Sequence, residues 1–288
     1  MWPRFFMNKY LTLLISIFIS TTANASQIPT VFVSILPQKY FVQGITRDRV
    51  KIQVMVLPGE SPATYEPTPQ QMVKLSKANL YFSIDVPFEK KWLPKIKRLH
   101  PNLVLIQTDQ GIKKRAMQSY RHHDSKKHHM SDPHIWLSPS LAILQARNIY
   151  TALIERYPEN QSFFKNNYRQ LIEHIVKLDI ELLEMLSQAR HKTFMVFHPS
   201  WGYFADAYGL HQIPIETEGK NVTPSQLADL IDRAQKNKIK VIFAQPQFSK
   251  KSANLISKSI GGKLILIDPL SVNWANNLKI VAREIINQ

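Results

Sequence analysis

Residues 160–189 read NQSFFKNNYRQLIEHIVKLDIELLEMLSQA, and the fold turns on this stretch. Phe164, Leu171, Ile175, Leu178, Leu182 and Leu186 recur at spacings of three, four and seven, so one face of a helix is apolar. Pro158 separates the run from another helical stretch at 138–157. Thirty residues at 1.5 Å each make a helix roughly 45 Å long, enough to cross the molecule. A helix of that length between two strand–helix blocks reads as a rigid connector; the alternative is an ordinary helix packed within one lobe.

Both flanks alternate short apolar runs with amphipathic stretches. Upstream, strands are expected at 30–35, 50–57, 80–84 and 103–107, with helices at 38–45 and at 69–78, the latter capped by Thr68. Downstream, strands are expected at 193–197, 212–215, 241–244 and 263–267. Helices there fall at 200–207, 224–236 (capped by Thr223), 252–259 and 273–286. Strand–helix alternation of this kind builds parallel sheets covered on both faces. The expected architecture is therefore α/β: two Rossmann-like parallel-sheet lobes joined by one long connecting helix. The expected division is a leader at 1–25, an N-terminal lobe at 26–158, a linker helix at 159–189 and a C-terminal lobe at 190–288.

Residues 108–132 interrupt the pattern with Gly111, basic clusters and the histidines His122, His123, His128 and His129. With few apolar anchors to offset the entropy of ordering, the segment is expected to be a loop.

Three short motifs carry candidate chemistry. Asp132-Pro-His134-Ile-Trp and Phe197-His198-Pro-Ser-Trp each set an imidazole beside a proline, and Ile267-Asp268-Pro-Leu does the same with a carboxylate. His198 and Asp268 follow the C-terminal ends of expected strands, the edge at which open parallel sheets bind ligands. His134 precedes a helix start and can face the same cleft from the other lobe. Three metal-ligating side chains at proline-fixed turns suggest a bound cation. His100, His174, His191 and His211 read as surface or packing residues.

Composition bounds the setting. Arg4 and Lys9, the apolar run 11–20 and Ala23-Asn-Ala25 form a cleavable secretory leader, too short to span a bilayer. The sequence has no cysteine, which excludes disulfides, thiolate zinc sites and a lipid-modified cysteine. A periplasmic protein without a lipid anchor is expected. The net charge of +16 raises nucleic acid as a partner. The basic residues fall in scattered doublets with no nucleic-acid-binding fingerprint, so a solvated basic surface is the reading.

In these motifs, together with Leu57-Pro-Gly-Glu-Ser-Pro-Ala-Thr-Tyr-Glu-Pro67 and Phe243-Ala-Gln-Pro-Gln-Phe248, the chain resembles the zinc/manganese solute-binding proteins of ABC transporters, the ZnuA-like or TroA-like cluster. The resemblance runs from about Thr30 to the C-terminus. It implies two four-stranded lobes joined by a long helix, a metal held between them, and His134, His198 and Asp268 as ligands. It also implies no enzymatic activity, a monomer, and an inner-membrane ABC permease as partner. The family's first histidine is missing, because Ala63 stands where Pro-His-x-Tyr-Glu-Pro is usual. Water, Glu60 or a loop histidine would then complete a tetrahedral shell. Alternatively the site takes a cation more tolerant of oxygen, Mn2+ or Fe2+. The histidine tract favours Zn2+, since such carriers often have one there. A zinc hydrolase using the open position is the reading from another class, and no general-base motif accompanies it. An adhesin is a third.

Overall fold

The computed structural model describes residues 28–118, 131–216 and 222–288. The expected leader and the histidine tract 122–129 lie outside the described residues.

The first lobe contains β1 (Thr30–Val33), α1 (Leu36–Thr46), β2 (Lys51–Val54), α2 (Pro69–Leu75), β3 (Ala78–Ser83), α3 (Pro87–Leu99) and β4 (Val104–Gln107). Its four strands are all parallel, in the order β2-β1-β3-β4. Next come α4 (Pro139–Arg156) and α5 (Gln161–Ser187). The second lobe follows with β5 (Thr193–Val196), α6 (Gly202–Ala207), β6 (His211–Pro214), α7 (Pro224–Lys236), β7 (Val241–Ala244), α8 (Lys251–Ser259), β8 (Lys263–Leu266) and α9 (Trp274–Ile286). Its sheet is parallel too, in the matching order β6-β5-β7-β8. The expected architecture is thus present: two parallel four-stranded lobes with a 27-residue helix between them.

The apolar stripe of α5 is buried along its length at Phe164, Leu171, Ile175, Leu178, Leu182 and Leu186. At 1.5 Å per residue the helix is about 40 Å long. It packs on α1 and α4 from the first lobe and on α9 from the end of the chain. Two details tighten its seat. Asn167, buried in the same stripe, donates its amide to the Ile45 carbonyl at 3.0 Å. Gly44 on α1 lets the helices close, since a Cβ there would stand 3.0 Å from Leu171 Cδ1. The connector is therefore a packed element that continues one core into both lobes. That core runs from Val31, Phe32 and Phe82 through α5 to Phe194, Val196, Phe243 and Trp274. The alternate residues of the second sheet, Met195, Phe197 and Ile242, face a separate core with α7 and α8.

Thr68 and Thr223 cap α2 and α7 as expected, each accepting the amide of a glutamine three residues on, Gln71 or Gln226. The structure differs from the sequence reading at α3, which that reading passed over. Pro87 starts the helix and Pro94 lies inside it, on the exposed side. The apolar residues Phe88 and Ile96 are buried among five cations, Lys90, Lys91, Lys95, Lys97 and Arg98. Those cations turn outward, so part of the net charge is concentrated on one helix face.

The segment expected as a loop from 108 is anchored at its described start. Thr108 is buried and donates its hydroxyl to the Ser83 carbonyl at 2.7 Å. Lys114 bridges Asp85 at 2.8 Å and Asp109 at 2.6 Å. An antiparallel bridge joins Ala116 to Ser131 and brings the two ends of the segment together.

Candidate metal centre

The two histidines meet. His134 enters from the first lobe, just ahead of a short 3-10 turn at Ile135–Leu137, and His198 from the loop after β5. Their ring centroids lie 5.3 Å apart at 69°, close enough for one small ion to sit between ring nitrogens. Both are largely withdrawn from solvent, with side chains 10% and 17% exposed.

Each ring is held by a buried carboxylate at Nδ1. Asp132 Oδ1 lies 2.7 Å from His134 Nδ1 and also accepts the His134 amide at 3.0 Å. Glu216 Oε1 lies 2.5 Å from His198 Nδ1, and its own amide donates to the Phe197 carbonyl at 3.1 Å. A carboxylate at Nδ1 fixes the proton there and leaves the Nε2 lone pair to a metal, as is usual for histidine ligands. Burial holds the His134 imidazole below its usual range, against the pull of Asp132. The neutral, coordinating form is therefore favoured. Gln245 clamps the His198 backbone on both sides, accepting its amide at 3.1 Å and donating to its carbonyl at 2.8 Å. Phe248 stacks on the ring at 4.9 Å.

Asp268 follows β8 on the same C-terminal edge as His198. Its Oδ1 accepts Gln247 Nε2 at 2.8 Å and the Leu270 amide at 2.9 Å, which leaves Oδ2 for a further partner. Among the described residues, no three His, Asp or Glu side chains form a group that could hold a metal ion. The structure thus brings two of the three candidates together and holds the third by its glutamine. Ala63 and Glu60 are exposed in the loop after β2, where Ala63 donates its amide to Ser61 Oγ at 3.3 Å. A cavity of about 440 Å3 lies elsewhere, between α1 and α5, lined by Lys39, Arg47 and His174 among others. It is remote from this chemistry, and the paired histidines are the better guide to function.

Sequence reasoning missed Asp132 and Glu216 as orienting groups, and Gln245 and Gln247 with them. Asp132 was visible two residues before His134. Glu216 follows an apolar strand with nothing local to link it to an imidazole, and only the fold brings it to His198.

A family model described as "Zinc-uptake complex component A periplasmic" matches residues 31–285. The zinc-binding lipoprotein AdcA of Streptococcus pneumoniae R6 is 29% identical over 245 residues, covering 81% of this chain and 48% of its own. The high-affinity zinc uptake system protein ZnuA of Bacillus subtilis is 27% identical over 243 residues, covering 81% of this chain and 76% of its own. The chain thus spans about half the length of the first curated relatives it matches. A crystal structure of ZnuA superposes with a TM-score of 0.85 at 40% identity, covering 90% of this chain and 98% of that one. A zinc-bound ZnuA with an internal deletion gives 0.83 at 41%, covering 90% and 97%. The chain belongs to the family of periplasmic A components of zinc-uptake complexes.

Proposed function

We propose that this chain is the solute-binding component of an ABC importer, capturing Zn2+ between its lobes and delivering it to a membrane permease. The observation that carries the reading is the facing pair His134 and His198, each with a buried carboxylate on Nδ1. With a carboxylate on each Nδ1, both Nε2 lone pairs are left to a shared ion, a donor set suited to Zn2+. Asp268 is the third ligand in this reading, turning Oδ2 toward the metal while Gln247 and the Leu270 amide hold Oδ1. Water or Glu60 completes the shell in place of the histidine that Ala63 replaces. Mn2+ and Fe2+ are the competing cargoes, because a water and a carboxylate soften the preference for zinc. In this reading the chain is a transport component and not an enzyme, acting as a monomer in the periplasm after removal of a leader. No helix among the described residues is long and apolar enough to cross a membrane.

Zinc titration of the leaderless chain tests the site. The wild type should bind one tight equivalent, and His134→Ala and His198→Ala should each lose it. Tight binding that survives both substitutions refutes the assignment. A parallel titration with Mn2+ decides the cargo.

A further inference from the structure

Asp132, whose carboxylate orients His134, is itself held through its backbone from the opposite lobe. Asp132 is fully buried, and its amide donates to the Arg115 carbonyl at 2.9 Å beside the Ala116–Ser131 bridge. Arg115 and Asp132 thus form one structural unit of the first lobe. Three residues on the first two turns of α6, in the second lobe, close on it. The Tyr203 hydroxyl accepts the Arg115 amide at 2.9 Å and donates to the Asp132 carbonyl at 3.0 Å. Asp206 Oδ2 takes Arg115 Nη1 at 2.8 Å. Gly202 lies so near that a Cβ there would meet Arg115 Nη1 at 2.5 Å, Arg115 Cζ at 2.8 Å and Asp132 Oδ2 at 3.1 Å. The Arg115 Nε is 3.9 Å from Asp132 Oδ2, an oxygen that is buried without a hydrogen bond.

The position of α6 gives this contact its consequence. Gly202 is four residues past His198, and Asp132 is two before His134, so the contact lies within a few residues of both histidines. Two residues after His134 there is a second tie. Trp136 Nε1 donates to the Pro269 carbonyl at 2.7 Å, next to Asp268, and the Trp136 carbonyl accepts Trp274 Nε1 at 2.6 Å. Asp132, His134 and Trp136 thus contact α6, His198 and the Asp268 turn in succession.

We propose that Arg115, Tyr203 and Asp206 form an interlobe latch that sets the approach of His134 to His198, and so tunes metal affinity without touching the metal. The inference rests on the reading of those two histidines as ligands. Tyr203 is the centre of the latch, because one hydroxyl serves both first-lobe residues. Gly202 is required because any side chain displaces the guanidinium from Asp206. These are positioning residues: they act on the metal through Asp132 and the seating of α6.

The test uses the leaderless full-length chain, with Zn2+ affinity read by competition with a chromophoric chelator and site geometry by the visible spectrum of bound Co2+. Tyr203→Phe, two steps removed from the ligand, should weaken Zn2+ binding measurably, by up to about tenfold, the low end for a group that bonds a ligand directly, and change the Co2+ band intensities. Gly202→Ala should match Arg115→Ala, and the double variant should lose less than the sum of the two, since the closest contacts of the added Cβ are with the Arg115 side chain. Unchanged affinity and spectrum in Tyr203→Phe, or additive losses in the double variant, overturn the latch. If Gly202→Ala does not fold, Tyr203→Phe alone decides. His134→Ala is titrated alongside: if it loses the tight equivalent, the site stands whatever the latch variants do. If it keeps the equivalent, the site itself fails and the latch with it.

Discussion

Glu216 offers the sharpest separation of metal affinity from stability. Its carboxylate is 2% exposed and lies 2.5 Å from His198 Nδ1, fixed there by its own amide on the Phe197 carbonyl. Glu216→Gln keeps the shape and one acceptor oxygen but removes the charge. A hydrogen bond to a charged group contributes about 1.5–3 kcal/mol and a neutral one about 0.5–1.5 kcal/mol. The difference between the midpoints, about 1.2 kcal/mol, acts on a ring that must stay aimed and basic, and it corresponds to roughly eightfold in Kd. Glu216→Ala also leaves the ring N–H without a partner, and the loss should reach the upper part of the 10–100-fold range typical of such partners.

Stability should not follow affinity. The second oxygen, Glu216 Oε2, is buried without a hydrogen bond, so the ionised group carries an uncompensated desolvation cost in the metal-free fold. Replacing the charge by an amide relieves part of that cost while leaving amide hydrogens without partners. The two changes oppose each other, and the metal-free melting temperature of Glu216→Gln should stay within a few degrees of the wild type. The assay pairs chelator-competition Kd values with thermal unfolding in excess EDTA. Wild-type zinc affinity in both variants would refute the orienting role, and a large fall in melting temperature for the glutamine variant would recast Glu216 as a structural group.

Other expectations follow from the same geometry. Zn2+ affinity should hold as pH falls to the ordinary imidazole value of about 6.5 and drop only below it, where the lowered His134 ring takes up its proton and can no longer coordinate; a Kd series from pH 8 to 5 checks this. His134 also contributes to folding stability. With its folded-state value held down by burial, the unfolded chain binds the extra proton first, so this contribution is lost as pH falls below about 6.5. Glu89 works in the opposite direction. Burial pushes its carboxyl up to about 7, although it accepts the Ile84 and Asp85 amides. The folded state keeps a proton that the unfolded state releases above about 4.5, so stability should decline between about pH 4.5 and 7, by up to about 3 kcal/mol. Glu89→Gln should flatten that slope in urea unfolding at pH 5 and 8. Ala63→His should tighten Zn2+ binding about tenfold or more by supplying a protein ligand in place of water; an unchanged Kd would mean the loop after β2 does not close on the metal.

The fold was legible because both of its signals are periodic. The stripe on α5 and the apolar strand runs survive in one dimension, and the two threonine caps punctuate them. Helix α3 was not legible: Pro94 and five cations mask a buried face of few residues, Phe88 and Ile96 among them. At the candidate site, the three proposed ligands stood out in the sequence because each stands beside a proline at a strand end or helix start. Their orienting groups were less so. Asp132 is local to His134, but Glu216 reaches His198 only because β5 and β6 pair in parallel with Val196 opposite Pro214. That register sets the loops after the two strands side by side, a relation that sequence spacing does not express.

The same register bears on how such a carrier can work. The core is continuous through α5, and three residues around His134 are tied across the cleft, so wide separation of the lobes would break Tyr203, Trp136 and Trp274 hydrogen bonds together. Capture is therefore better served by movement of small groups than by opening of the whole cleft. Asp268 is the suitable group. It is exposed enough to turn, is held by one side-chain amide at Gln247, and follows a strand whose last residue, Leu266, is 52% exposed. On this argument Gln247→Ala frees Asp268 and should speed both metal uptake and release in stopped-flow measurements, shifting Kd less than either rate. A Kd change as large as the rate change would show that Gln247 holds the aspartate in its ligating position instead of restraining it.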